Sequence, residues 1–287
     1  MPRVPSTIHQ FLSPPLHNST PLSKACCVDV VFYNRRVKSA AGKTGLRLKV
    51  VKDYQAMSRL AADFVAAEAR SKPDLLLCAS AGGTPTGMYE RMARLNELKP
   101  SLFGKMRVVQ IDEWGGLNRG NAASCRTDLE KKLLWPLAIN GARFKGFVSD
   151  APDAKQECAN MARWLAAHGP IDVCLLGLGL NGHVAMNEPA DEFEPGVHVS
   201  KLARRSLGHG MLKDLDNKPR YGLSMGLGDI LRSRKILLVV SGETKREALK
   251  RLIEGPVSGR FPASFLWLHS DVTVICDREA RGEKNDQ

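Results

Sequence analysis

The chain has 287 residues, of which 43% are apolar, 25% charged and 6% aromatic, and these fractions exclude collagen-like, fibrous and wholly disordered proteins. No apolar run approaches the ~20 residues that a helix needs to cross a bilayer, so we expect no membrane span and no membrane partner. The net charge of +12 suits anionic partners, which include phosphorylated metabolites and nucleic acid. No block of Lys and Arg with interleaved aromatic residues occurs, so nucleic acid is not the expected partner.

The cysteines indicate a reducing compartment. There are seven, an odd number, and three of them lie inside apolar runs, as reduced cysteines in a protein core do: Cys78, Cys174 and Cys276. We therefore expect a cytoplasmic protein without a disulfide framework.

The first 44 residues differ from the rest of the chain. They contain five prolines, many Ser and Thr and no sustained periodicity, which predicts a disordered N-terminal extension over residues 1–44. The segment lacks the continuous apolar stretch of a secretory signal, and its prolines interrupt the amphipathic helix of a transit peptide. No linker or internal repeat divides residues 45–287, which we expect to form one domain.

Beyond residue 45, apolar runs alternate with helical patterns. The helical patterns begin with a helix capped by Asp53, continue with one that has Pro85 at its first position and reaches about Leu98, and recur near 122–134, 152–168 and 243–254. Alternating strands and helices predict an α/β fold with a mostly parallel sheet. The runs that are typical of buried strands are 46–51, 75–79, 106–111, 171–176, 236–240, 265–268 and 272–276.

Glycine-rich or polar loops follow four of these predicted strands. Ligands of parallel α/β sheets bind beyond the carboxyl ends of the strands, so we expect the four loops to converge on one site. The loops are Ser80–Pro85, Asp112–Gly116, Gly177–His183 with Asn187–Pro189, and Ser241–Lys245.

The first loop has the composition of a phosphate-binding turn. Gly82 and Gly83 allow close backbone approach, and Thr84 is predicted to cap the helix with its hydroxyl. A helix N-terminus with free N–H groups attracts anions, and Lys245 would add a full positive charge. The alternative is an ordinary turn between a strand and a helix.

Two further loops carry groups suited to proton transfer. A carboxylate at Asp112, directly after a buried strand, can act as a general base if desolvation keeps its basicity near the working pH. The alternative for Asp112 and its neighbour Glu113 is a helix cap or an ion-paired surface acid. His183 lies near Glu188, which could orient it, although a structural histidine is the alternative.

Other chemistries are disfavoured by the sequence. Residues 177–182 match G-x-G-x-x-G, but Asn187-Glu188-Pro189 and Pro195 interrupt the helix that a dinucleotide site requires, so we expect no NAD. No Cys and His cluster has metal-ligand spacing. Ser80 lacks the glycine two residues before it that a G-x-S-x-G nucleophile elbow requires. We expect no metal.

Taken together, these motifs resemble the glucosamine-6-phosphate deaminase and galactosamine-6-phosphate isomerase family, which is distantly similar to 6-phosphogluconolactonases. The resemblance extends over about 46–276. It is carried by Gly82-Gly83-Thr84-Pro85, Asp112-Glu113, Gly182-His183, Asn187-Glu188-Pro189, Lys245 and the tail Phe265-Leu266-Trp267-Leu268-His269.

The resemblance implies a Rossmann-like α/β domain over residues 45–287, with helices on both faces of the sheet. It implies an enzyme that converts an amino-hexose 6-phosphate into a ketose 6-phosphate and ammonia without a metal or organic cofactor. Asp112 would move a proton between C2 and C1 of the opened sugar. His183 would assist ring opening with Glu188 as its partner.

The resemblance also assigns the substrate phosphate to Gly82, Gly83, Thr84 and Lys245, with help from Arg204 or Arg205. One departure concerns Asn181, which stands where glucosamine-6-phosphate deaminases usually carry Asp. The imidazolium of His183 thereby loses one charged partner. The Asn-Gly-His sequence and the Phe265–His269 tail are more similar to the galactosamine-6-phosphate branch, so the galacto substrate is favoured and the gluco substrate comes next.

Two other functions stay open. A lactonase acting on a phosphorylated sugar lactone would use His183 to activate water, and a non-catalytic sugar-phosphate sensor would bind without turnover. Neither helix-turn-helix nor zinc spacing occurs in residues 1–44, which disfavours a DNA-binding regulator. The expected partner is a small sugar phosphate, and the protein could be a monomer or a homo-oligomer.

Overall fold

A computed structural model describes residues 45–118, 120–204 and 206–283. The predicted disorder of residues 1–44 lies outside this described part. The strands within it are β1 Leu46–Val51, β2 Leu76–Ala79, β3 Arg107–Gln110, β4 Asp112–Gly115, β5 Phe144–Lys145, β6 Val173–Gly177, β7 His198–Ser200, β8 Tyr221–Ser224, β9 Lys235–Val240 and β10 Val272–Asp277. The helices are α1 Tyr54–Ser71, α2 Thr86–Leu98, α3 Cys125–Leu129, α4 Ala154–His168, α5 Leu227–Leu231, α6 Arg246–Glu254 and α7 Arg278–Arg281.

A parallel sheet forms the centre of the fold, as the alternating pattern predicts. Its described strands follow the order β1-β10-β9-β6-β2-β3-β5, and every neighbouring pair is parallel. Successive side chains of β2 alternate between two apolar cores, with Leu76 and Cys78 on one face and Leu77 and Ala79 on the other. Helices α1 and α2 cover the second face, and α4 and α6 cover the first.

Burial on both faces explains why these strands are apolar throughout. The five described cysteines are buried thiols without a disulfide, in agreement with the sequence: Cys78, Cys125, Cys158, Cys174 and Cys276. Within the described ranges, no helix combines the length and apolarity that crossing a membrane requires.

Helix α1 begins as predicted, whereas α2 begins differently. The Asp53 carboxylate accepts a hydrogen bond from the Ala56 amide at 2.8 Å, which is the expected cap. The prediction that Thr84 caps α2, with Pro85 at its first position, is wrong, because that helix begins at Thr86 and has no side-chain cap. The Tyr54 hydroxyl instead accepts from the Gly87 amide at 2.8 Å and donates to a turn carbonyl.

The prediction of a strand over 265–268 is also wrong. Pro262–Leu268 forms a 3-10 helix, and the Trp267 indole donates to the Leu252 carbonyl at 2.7 Å. A short apolar run does not distinguish a buried strand from a buried helical turn, and a proline at the start suits a helical turn. The apolar side chains of this run are therefore mostly buried by a helical turn that is not part of the sheet.

A second, antiparallel sheet was not predicted, and it carries Asp112. It consists of β4, β8 and β7 in that order. The chain leaves the large sheet at Ile111, whose amide donates to the Ala79 carbonyl at 3.1 Å and whose carbonyl accepts from the Met225 amide at 3.0 Å. Asp112 is the first residue of β4 and pairs with Ser224. The small sheet thus places a carboxylate beyond the end of β3.

The buried carboxylate of Glu113 joins β4 to α3. Glu113 is 0% exposed and accepts five hydrogen bonds, two of them from the side chains of neighbouring segments and three from backbone amides. Because an ionised acceptor makes strong hydrogen bonds, this residue fixes the path of the chain beside Asp112. The donors are Gln110 Nε2, Ser124 Oγ and the amides of Trp114, Cys125 and Arg126.

Replacing Glu113 with Gln should lower the free energy of unfolding by about 2–3 kcal/mol, because one of the two acceptor oxygens becomes a donor facing other donors. Chemical denaturation at neutral pH measures the change. Glu97→Gln on the exposed side of α2 is the matched control and should have almost no effect. Equal stability of the two variants would contradict this role for Glu113.

Candidate active site

One cavity of about 330 Å³ lies at the carboxyl end of the large sheet, and all four predicted loops contribute to its lining. The structure brings Asp112, Asn181, His183, Glu188 and Lys245 together there with the Gly82–Thr84 turn. Arg204 is exposed and is not among the lining residues. The alternative choice, Arg205, lies outside the described residues.

Asp112 has an environment that keeps its carboxylate basic. Burial and, to a smaller extent, the negative charge of Glu113 together raise its pKa to about 7. No donor within the described ranges forms a hydrogen bond with the Asp112 carboxylate, which faces the cavity. Glu113 is fully engaged in backbone support, so the adjacent acids divide into a structural residue and a residue available for proton transfer.

His183 and Glu188 form a pair in the wall of the same cavity. His183 Nδ1 lies 3.6 Å from Glu188 Oε2, an ion-pair distance that exceeds a normal hydrogen bond. This nitrogen is buried and has no hydrogen-bond partner in the described structure. Gly179 makes room for the ring, because a Cβ at that position would lie 2.5 Å from the imidazole atoms.

Glu188 remains ionised in this wall. Burial raises its pKa, but the interaction with His183 and the hydrogen bonds from Ser206 and Asn181 together lower it to about 2. The Ser206 hydroxyl donates to Oε1, and Asn181 Nδ2 donates to Oε2 at 2.9 Å. Glu188 is therefore a permanent negative charge next to the imidazole.

Asn181 acts on the loop rather than on the imidazole ring. Its Nδ2 atom holds Glu188, and its Oδ1 atom accepts from the His183 amide at 3.2 Å. Gly182 has φ +88°, and the Phe261 ring occupies the space of its absent side chain. The glycines of the G-x-G-x-x-G match thus shape a loop around His183. No helix follows this loop before β7 in the described chain, in contrast to a dinucleotide-binding site.

The Gly82–Thr84 turn offers fewer amides than the sequence suggests. The Gly82 amide already donates to Asp128 Oδ2 at 2.9 Å, so it is not available to an anion in this arrangement. The amides of Gly83 and Thr84, and the Thr84 hydroxyl, form no hydrogen bond within the described part of the chain. These groups, at the start of α2, remain as donors facing the cavity.

Lys245 reaches the cavity from the loop after β9. Its Nζ atom donates to the Leu178 carbonyl at 2.7 Å, which places the ammonium beside the His183 loop. Gly242 takes φ +89° to start this turn, and its amide donates to the Asp277 carboxylate. The Lys245 ammonium is thus positioned by a turn whose backbone conformation at residue 242 favours glycine.

The sequence analysis gave no role to several polar or aromatic residues of the lining, among them Trp114, Ser206 and His209. Trp114 directly follows Asp112-Glu113, so the loop position itself could have indicated it. Ser206 and His209 lie in a segment without helical or strand periodicity, which carried no signal of its own. Among the described residues, no group of three or more His, Cys, Asp or Glu side chains could hold a metal ion.

Comparison with known proteins identifies the family. The model described as glucosamine-6-phosphate isomerases/6-phosphogluconolactonase matches residues 52–275. The glucosamine-6-phosphate deaminase 1 of Bacillus subtilis (strain 168) is 36% identical over 229 residues, which cover 79% of this chain and 95% of that protein.

Solved structures agree with this assignment. The structure of a monomeric glucosamine-6-phosphate deaminase superposes with a TM-score of 0.78 at 33% identity and covers 84% of this chain and 100% of that chain. The 6-phosphogluconolactonase of Trypanosoma brucei shares the fold, with a TM-score of 0.66 at 19% identity over 82% of this chain and 97% of that chain. The chain therefore belongs to the glucosamine-6-phosphate isomerase/6-phosphogluconolactonase family and is an enzyme of its isomerase and deaminase group.

Proposed function

We propose that this enzyme is a deaminating aldose–ketose isomerase that converts glucosamine 6-phosphate into a ketose 6-phosphate and ammonia. The observation that carries the proposal is the position of Asp112. Its carboxylate has a pKa of about 7 and faces the same cavity as His183, Lys245 and the Gly83–Thr84 donors. The names of the relatives supply the substrate class.

The phosphate end of the substrate belongs at the turn before α2. Two backbone amides and the Thr84 hydroxyl can donate to its oxygens, and the start of α2 favours negative charge. Lys245 contributes a full positive charge from the neighbouring loop. An anion held there leaves the other end of the sugar between Asp112 and His183.

Ring opening is the role of the His183 and Glu188 pair. Opening the pyranose moves a proton from the C1 hydroxyl to the ring oxygen and leaves an aldehyde at C1. An imidazole can relay this proton, and the negative Glu188 stabilises the ring while it carries a positive charge.

Proton transfer is the role of Asp112. The aldehyde at C1 and the ammonium at C2 make the C2 proton acidic, and the carboxylate removes it; one ammonium proton passes to the C1 oxygen, which gives a neutral enolamine. Return of the proton to C1 gives an imine at C2, which water hydrolyses to the ketone and ammonia. A partly desolvated carboxylate without other described donors suits this step, because its pKa of about 7 makes it a base near neutral pH.

Galactosamine 6-phosphate, which the sequence analysis favours, is placed second here because the relatives reported above are named for glucosamine 6-phosphate. The Asn181-Gly182-His183 sequence favours it, and Asn181 lines the cavity. The Phe265–His269 tail no longer adds support, because its residues do not line the cavity and Trp267 packs against α6. A phosphorylated lactone is a weaker candidate, since hydrolysis of a lactone gives Asp112 no C2 proton to transfer.

Purified enzyme should release one ammonia per ketose 6-phosphate from glucosamine 6-phosphate, because the cavity offers a base, an imidazole and an anion site to one sugar. Coupled assays of ammonia and ketose, with the gluco and galacto 6-phosphates side by side, measure the preference. Acid release from a 6-phosphogluconolactone without ammonia from either amino sugar would identify a lactonase. A ligand-induced shift in melting temperature without turnover of any of these compounds would identify a sensor.

Asp112→Asn should abolish exchange of the C2 proton with solvent while leaving phosphate binding nearly intact. The amide cannot take the proton, and its similar shape keeps the cavity. Proton exchange is followed by magnetic resonance in deuterated water, and binding by calorimetric titration with inorganic phosphate. Because the replacement removes a buried charge, the variant should be at least as stable as the wild type above pH about 7. Retained exchange would remove Asp112 from this role.

The rate should depend on the ionisation of Asp112. Its folded-state pKa is raised, so protonation disables the base, and kcat/KM should fall as the pH decreases through about 7. Inhibition by inorganic phosphate, measured over the same range, separates weaker binding from loss of the base. An acid limb near the ordinary aspartate value of about 4 would contradict the assignment.

A further inference from the structure

His209 lies in the wall of the cavity next to the anion-binding turn. It stands between two short 3-10 turns, Ser206–Gly208 and Gly210–Leu212, in the connection from β7 to β8. Its ring packs against Trp114, with ring centroids 5.8 Å apart. None of the interactions described for the base or for the His183 pair uses this side chain.

The hydrogen bonding of His209 fixes which nitrogen carries its proton. Nδ1 accepts a hydrogen bond from the Met211 amide at 3.3 Å, so the neutral ring carries its proton on Nε2. A Cβ built on Gly82 would lie 3.8 Å from Cε1 and 4.0 Å from Nε2 of this ring. The proton-bearing edge therefore lies beside the Gly82–Thr84 turn.

The charges around His209 suit an anion at this position. The His209 side chain is partly exposed; its partial desolvation lowers its pKa, the positive charges of His183 and Lys245 lower it further, and the charge of Asp128 raises it. Three basic side chains thus converge on one side of the cavity, and an anion between them would relieve their mutual repulsion. The Gly83 and Thr84 amides face the same space.

We propose that His209 binds the phosphate of the substrate through Nε2–H and thereby completes the anion site formed by Lys245 and the Gly83–Thr84 turn. This inference rests on the proposed function for the identity of the substrate, but not for the presence of an anion site. His209 is a binding residue here, so it contributes to substrate affinity rather than to the chemical step.

Two substitutions separate the functions of the two ring nitrogens. His209→Asn retains an oxygen near the position of Nδ1 and removes the Nε2 donor. His209→Gln places an amide N–H near the position of Nε2. His168→Asn is the matched control, because this exposed histidine on α4 bonds only a carbonyl of its own helix and stacks on Trp164. Lys245→Ala serves as the reference for loss of anion binding.

Steady-state kinetics with the sugar 6-phosphate and competitive inhibition by inorganic phosphate test the proposal. His209→Asn should raise KM and the inhibition constant of phosphate about 10-fold or more, the effect of one hydrogen bond to a charged group, while kcat changes little. Lys245→Ala should raise both constants as well, whereas His209→Gln should largely retain the wild-type values and His168→Asn should match the wild type.

Three results would overturn the proposal. The first is an unchanged phosphate inhibition constant in His209→Asn. The second is a loss of kcat alone, which would place His209 in the chemistry. The third is equal impairment of the Asn and Gln variants with unchanged melting temperatures, which would remove the Nε2 donor from the explanation.

Failure of the proposed function can be distinguished from failure of this inference. If the wild type releases no ammonia from either amino sugar phosphate, calorimetric titration with inorganic phosphate still compares the wild type with His209→Asn. Weaker binding in the variant then supports the anion site without the deaminase activity. Equal binding constants would reject the role of His209 whatever the substrate is.

Discussion

The candidate chemistry depends on one carboxylate that is largely shielded from water and accepts no hydrogen bond from the described residues. Asp112 is partly buried beside Glu113, and both desolvation and the neighbouring charge favour its protonated form. Glu188, which lines the same cavity, is also partly buried, yet three polar partners hold it ionised. One cavity therefore contains two carboxylates whose pKa values are shifted in opposite directions. This separation assigns proton transfer to the first and charge stabilisation to the second.

The environment of Asp112 is a consequence of topology. The chain leaves the parallel sheet at Ile111 and continues into the small antiparallel sheet, so the first residue after the change lies over the carboxyl end of the strands. Five hydrogen bonds to Glu113 hold this path in place. The arrangement opposes stability at high pH: a carboxyl group whose folded pKa is raised disfavours the folded state once the pH exceeds the unfolded value. The five hydrogen bonds accepted by the neighbouring Glu113 stabilise the folded state and offset this destabilisation by Asp112.

Periodicity predicted the large sheet because strands buried on both faces must be apolar throughout, and the rule for parallel strand ends then led to Asp112, His183 and Lys245. The small sheet escaped prediction because β4 and β7 are only three or four residues long and mix polar with apolar side chains. The apolar run at 265–268 was misassigned because burial alone does not select a backbone conformation. His209 was missed because its position depends on a connection without regular structure, where only tertiary packing decides which side chain faces the cavity.

Asn181 shows how a neutral residue controls the charge of the site. Its amide nitrogen lies 2.9 Å from a Glu188 oxygen, so an aspartate in the same place would set two carboxylates against each other and oppose the ionisation of Glu188. The amide instead donates a hydrogen bond and leaves one negative charge beside His183. The cavity lining therefore combines the ionised Glu188 with the basic side chains of His183, Lys245 and His209. In the proposed function, the phosphate of the substrate would be attracted by the basic side chains and repelled by Glu188, and these two effects would orient the sugar.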